Sequence, residues 1–118
     1  MAKIYVAGKQ LDRARSIMNI LRTHGHEITY DWATDYSEDE SEQRVRDELN
    51  GVRDADILVY LWESNQESAR YEAGMAMGLG KKIIVSNGPN SFFFKLPGIY
   101  RVDSDDKIIA EIERLKDH

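Results

Sequence analysis

DILVYLW, Asp56 to Trp62, is the run that points most directly to the architecture. It is almost uninterrupted apolar sequence, the pattern of a central parallel strand buried on both faces. Upstream, KIYVAG (Lys3 to Gly8) is a short β-rich run ended by glycine and reads as a first strand. Leu11 to His24 follows with Ala14, Ile17, Met18 and Leu21 at helical spacing, and Gly25 sits where a helix C-cap belongs. HEITYDW reads as a second strand ending near Tyr30. Beyond a polar loop, Ser37 and Glu40 have the spacing of a capping box. Glu40→Arg44 and Glu42→Arg46 are i,i+4 pairs in the orientation that supports a helix, with Val45, Leu49 and Val52 as its buried stripe.

Downstream, SARYEAGMAMGLGKK (Ser68 to Lys82) supplies the next helix, KKIIVS a strand, residues 87–98 a loop and IYRV a last extended piece. Ser104 caps a final helix whose inward positions are Ile108, Ile109, Ile112 and Leu115. Strand and helix alternate about five times, which implies a parallel sheet of about five strands with right-handed crossovers and helices on both faces. The expected fold is a single α/β domain over residues 1–118, flavodoxin-like or Rossmann-like. Ligands in such sheets bind at the carboxyl ends of the strands. Those ends are Gly8–Lys9–Gln10, Asp31–Trp32, Trp62–Glu63–Ser64 and Ser86–Asn87–Gly88.

Composition excludes several classes of function. The 118 residues are 42% hydrophobic and 31% charged, consistent with an ordered domain, and the net charge of −5 argues against a nucleic-acid polymer as partner. With no cysteine there is neither a disulfide nor a thiolate zinc site. No apolar run approaches the roughly 20 residues that span a bilayer, and the N-terminus runs straight into a strand, so a cytoplasmic domain without a membrane partner is expected. His24 and His26 straddle a helix end without a neighbouring ligand cluster, and His118 is terminal, so no metal is assigned. No cofactor is assigned either: G-x-G-x-x-G is absent, and GMAMGLGKK misses the P-loop spacing. Gly74 and Gly78 read instead as sites of close packing. Asp54 and Asp56 flank the central strand and read as caps or ion-pair partners, as do Asp47 and Glu48 on pattern alone. The acidic run SEDESE suits a helix N-terminus. Trp32 and Trp62, each just past a strand, offer planar rings for stacking or rim packing.

Glu72 stands apart. In a helix it shares a face with Ser68, Ala69, Met75, Ala76 and Leu79, and a carboxylate desolvated there is costly unless it is paired or lines a cavity. Arg70 or an arginine of a neighbouring subunit could neutralise it, or the Ala69–Ala73 side could face solvent. The third reading is an active-site carboxylate, since perturbed carboxylates concentrate at such sites.

KIYVAG, ELNGVRDADILVYLW, YEAGMAMGLGKKIIV and NSFFFKLPGIYRVDS occur in the order seen in the nucleoside 2-deoxyribosyltransferase-like family, which includes deoxynucleoside monophosphate N-glycosidases. The resemblance covers most of the chain. It implies a flavodoxin-like fold and chemistry at the N-glycosidic bond, with Glu72 as the nucleophile that forms a glycosyl ester later opened by a base or water. An acidic partner serves the leaving base. The family often has aspartate eight residues before the Asp of the ADI element; here that position is Glu48, with Asp47 beside it. Where relatives are glycine-rich ahead of the nucleophile, this chain has Ser68, Ala69 and Arg70. The resemblance also implies substrate contacts from Gly8 and Asn87, while Lys9, Trp32 and Trp62 are expected at the substrate from their places at strand ends, and Ser64 or Ser68 could bind its hydroxyl or phosphate oxygens. Arg70 would meet a phosphate or form an intersubunit ion pair. A small-molecule nucleoside or nucleotide substrate and a homodimer or larger homo-oligomer are expected. The alternatives are a non-catalytic nucleotide-sensing domain of the same fold and a hydrolase of another N-ribosyl compound.

Overall fold

A computed structural model describes residues 1–34 and 41–116. Five strands, β1 (Lys3–Ala7), β2 (Glu27–Ile28), β3 (Ile57–Leu61), β4 (Lys82–Ser86) and β5 (Ile99–Val102), form one parallel sheet in the order β2-β1-β3-β4-β5. Four helices connect or follow them: α1 (Leu11–Thr23), α2 (Glu42–Asp54), α3 (Ser68–Gly78) and α4 (Ile108–Lys116). This is the flavodoxin-like strand order, as expected. Every residue of β3 is buried, because it lies between β1 and β4 and beneath helices on both faces. The step from β1 to β2 runs opposite to the steps β2 to β3 and β3 to β4. Right-handed crossovers therefore put α1 on one face and α2 and α3 side by side on the other.

The first helix buries Ala14, Ile17, Met18 and Leu21, the stripe expected from their spacing. It ends at His24, and Gly25 takes φ +85°, a left-handed conformation that suits a residue without a β-carbon. The second strand is shorter than its sequence pattern: only Glu27 and Ile28 pair with β1, because the chain turns at Asp31, whose Oδ1 accepts from the amides of Ala33 and Thr34. The Ser37–Glu40 box and the Glu40–Arg44 pair fall outside the described residues. Ser41 is the N-cap of α2, its hydroxyl accepting from the Arg44 amide, and the Glu42–Arg46 pair is present.

The inward stripe of α2 differs from the expected one. Val52 is fully buried, but Val45 and Leu49 are exposed, and Gly51 is buried in their place. Val45 lines an open cleft instead of covering the sheet. Likewise α3 buries Ala69, Glu72, Ala73 and Ala76, while Met75 is half-buried and Leu79 exposed. The buried side of α3 is thus rotated toward Ala73 relative to the stripe expected from sequence. The loop after β4 contains a 3-10 turn, Phe92–Lys95. A second one, Asp105–Lys107, lies between Ser104 and α4, so Ser104 stands at the start of that turn and not of α4, and its hydroxyl donates to the Asp106 carboxylate in place of capping a backbone amide. Among the described residues no helix is long and apolar enough to cross a membrane.

Candidate active site

The strand order reverses direction between β1 and β3, and a crevice opens there beyond their carboxyl ends. Its volume is about 570 Å³. The β1–α1 turn forms one side with Gly8 and Lys9, the β3–α3 loop supplies Asn65 to Ser68, and α2 contributes Arg44, Val45 and Glu48. Glu72 lies at its floor, one helical turn inside α3 from Ser68. Ala69 and Ala76 seat the helix closely on the sheet, and this drives the Glu72 carboxyl inward until it is only 7% exposed.

The partner that Glu72 finds is Tyr5, in the middle of β1. The Tyr5 ring is fully buried, and its hydroxyl makes a short hydrogen bond to Glu72 Oε2. The same hydroxyl lies 3.4 Å from Glu48 Oε1, and Arg44 Nε lies 3.4 Å from Glu48 Oε2. Two carboxylates, a phenol and a guanidinium therefore form one chain. Burial pushes the Glu72 carboxyl up to about 9, with the Tyr5 donor opposing, Glu48 adding to the rise and Arg44 opposing. Tyr5 is held protonated well above its ordinary range by burial and by the two carboxylates beside it. A buried carboxyl raised beside a second carboxylate is the kind of pair in which one group serves as acid and the other as base or nucleophile.

Two further networks hold the cleft walls. Gln66, nearly fully buried, donates to the Leu61 carbonyl at 2.8 Å and accepts from the Glu63 amide at 2.9 Å, which pins the β3–α3 loop. Lys9 Nζ reaches the Asn65 carbonyl at 3.3 Å and links the two loops across the cleft. Behind them, Arg13 donates through Nε and Nη2 to the two oxygens of Asp105, each at 2.8 Å, and through Nη1 to the Trp62 carbonyl at 2.9 Å. Ser86 Oγ donates to Asp105 Oδ1 at 2.6 Å.

Of the residues singled out from sequence, Glu72, Glu48, Gly8, Lys9, Trp32 and Ser68 come together around this cleft. Trp32 is a fixed wall, its indole N–H donating to the Val6 carbonyl at 2.7 Å. Trp62 and Arg70 do not join them. They line a separate apolar groove of about 920 Å³ between α3 and the Phe92–Lys95 turn. Arg70 lies there beside Tyr60, and the cation that acts on Glu72 is Arg44. Asp47, Ser64 and Asn87 line neither. Asp47 accepts from Gln43 at 2.9 Å, and Asn87 occupies a left-handed turn at φ 60° whose amide donates to the Val102 carbonyl. Neither His24 nor His26 joins a metal-binding group, and the described residues contain no cluster of three or more His, Asp or Glu able to hold one.

Sequence reasoning missed Tyr5 and Arg44. One signal for Tyr5 was available: a tyrosine inside a strand buried on both faces must bring its hydroxyl to a partner.

No protein-family profile matches the chain, and no curated protein matches it in sequence. Among solved structures, the CMP N-glycosidase BcmB of Clostridium botulinum shares the fold. It superposes with a TM-score of 0.66 at 12% identity, over 95% of this chain and 98% of that one.

Proposed function

We propose that this protein breaks the N-glycosidic bond of a nucleoside or its 5′-monophosphate, with Glu72 as nucleophile. The observation that carries the reading is the buried Glu72 carboxyl, held by Tyr5 and faced by Glu48, at the floor of a cleft at the strand ends. Its likeness in fold to a CMP N-glycosidase and its sequence resemblance to the deoxyribosyltransferase-like family support the same chemistry.

In this mechanism a Glu72 oxygen bonds to the anomeric carbon as the carbon–nitrogen bond breaks and its electrons move to the base. Glu48 gives the departing base a proton. The ester at Glu72 is then opened by water or by a second base, with net retention at the sugar. Tyr5 donates to the Glu72 carboxylate and fixes which oxygen attacks. Transfer of the Glu72 proton to Glu48 readies nucleophile and acid together. A domain that only bound nucleotide would have no use for this costly carboxyl pair.

The test is Glu72→Ala, assayed for free-base release from a panel of ribo- and deoxyribonucleosides and their 5′-monophosphates, with and without a second free base. Loss of turnover by ~10³-fold or more in a folded variant is expected for a missing nucleophile. Unchanged base release would remove Glu72 from the chemistry. A new nucleoside in the presence of the second base identifies a transferase, and free sugar alone a hydrolase.

The active form is a homo-oligomer joined through the apolar groove. Tyr71, Phe92 and Phe93 are 69%, 76% and 66% exposed, and Gly74 and Gly78 share the outward side of α3 with Tyr71. At ~200 Å² per aromatic side chain, those three alone present about 400 Å². This is roughly half of the ~800 Å² per partner in an ordinary interface. A second copy supplies both the bare helix face and the projecting rings.

A further inference from the structure

Gly51 lies on α2, three residues after Glu48, and its α-carbon faces the sheet. A β-carbon there would stand 2.9 Å from Tyr30 Cβ, 3.0 Å from Tyr5 Cδ2 and 3.1 Å from Tyr5 Cε2. The first of these is an atom fixed to the backbone, and the other two belong to the ring that carries the hydroxyl reaching both carboxylates. The helix is also latched at this residue: Thr29 Oγ1 donates to the Gly51 carbonyl at 2.7 Å. A β-carbon at position 51 forces α2, Tyr30 or the Tyr5 ring to shift. A shift of α2 or of the ring separates Tyr5 from Glu48 or Glu72. Glycine in a helix interior has a cost relative to alanine, so its presence needs a reason such as close approach.

We propose that Gly51 is a positioning residue for the reaction: its bare α-carbon, latched by Thr29, sets the depth of α2 on the sheet and thereby holds the Tyr5 hydroxyl between Glu48 and Glu72. This rests on the reading of Glu72 as nucleophile only for its catalytic consequence. The packing claim stands on the contacts alone. The groups facing Glu72 are Tyr5 from β1 and Glu48 and Arg44 from α2, and all three sit on the two elements whose spacing Gly51 controls.

The test compares Gly51→Ala, Tyr5→Phe and the double variant with the unaltered protein. The Glu72 carboxyl is titrated by ¹³C NMR, and kcat and KM are measured for the best nucleotide in the panel. The Glu72 titration in Gly51→Ala is expected to move to that of Tyr5→Phe, and the double variant to move no further. Turnover should fall by ~10- to 100-fold in Gly51→Ala with KM within about threefold, as for a small misplacement of a reacting group. In the Tyr5→Phe background the same change should cost less than about twofold, because coupled residues are not additive. If Gly51→Ala fails to fold, Thr29→Val loosens the latch without adding bulk and is read by the same measures, with smaller shifts. An unchanged titration, or losses that simply multiply, overturns the proposal. The expected titrations without base release from any substrate would instead overturn the enzymatic reading and leave the packing role standing.

Discussion

Glu72 should make the protein less stable at neutral pH than it would be without the charge, and Glu72→Gln measures by how much. The carboxyl is moved from its ordinary 4.5 to about 9 by burial. The sign follows from linkage: the raised group costs nothing below the unfolded value, where both states are protonated. Above it the unfolded chain ionises while the folded chain resists, so stability falls as pH rises until the folded group also ionises. From 4.5 to pH 7 the interval corresponds to about 3 kcal/mol at ~1.4 kcal/mol per pH step. Glutamine keeps the shape, accepts from Tyr5 through its oxygen and donates to Glu48 through its nitrogen. Burying the amide takes back part of the gain, so about 2 kcal/mol remains at pH 7, or roughly 6–10 °C in Tm for a domain of this size. Urea denaturation of both proteins at pH 4.5, 6 and 7.5 provides the assay. At the lowest pH the amide cost should leave the glutamine variant slightly less stable, and the difference should turn to a gain that grows with each step. A constant difference across the series, or a less stable glutamine variant at pH 7.5, would refute the account of Glu72 as a buried, protonated acid.

Asp105→Ala leaves Arg13 without its bidentate partner and Ser86 without its acceptor. A loss of about 1–3 kcal/mol is expected by urea denaturation. The hydrogen bonds from Arg13 and Ser86 hold Asp105 below its ordinary 3.8, so the contribution is present above that value and lost as pH falls through the folded one. A loss under ~0.5 kcal/mol would make the cluster incidental. His26 is buried with its Nδ1 accepting from the Ala2 amide, and burial, then Lys116, lowers it below 6.5 against an opposing pull from Glu113. Wild-type stability should decline as pH drops below 6.5, and His26→Asn should flatten that limb in thermal melts; parallel curves would exclude His26. Replacing both Phe92 and Phe93 by serine should shift sedimentation toward the monomer, whereas an unchanged distribution would move the self-association surface elsewhere.

How much of this was legible without coordinates follows from the kind of physics each residue reports. The apolar run Ile57–Leu61 marks a strand covered on both sides, and α1 places its buried residues where a 3.6-residue period puts them. For Val45 and Leu49 the same period misled, because spacing says which residues share a face and not what that face meets. Glu72 was conspicuous as a charge among small apolar residues, and its burial is the property such a pattern implies. Trp62 and Arg70 lie near the cleft residues in sequence yet on the other flank of α3, a distinction decided by the rotation of the helix.

The alternation of elements, the parallel sheet and one improbable carboxylate are legible in the sequence, since they follow from local periodicity and from the cost of burying charge. What surrounds that carboxylate depends on how distant elements pack. Tyr5, Glu48 and Glu72 are separated by 43 and 67 residues from the phenol outward. They meet because α2 and α3 pack beside one another over β1, closely enough at Gly51 for one hydroxyl to reach both acids.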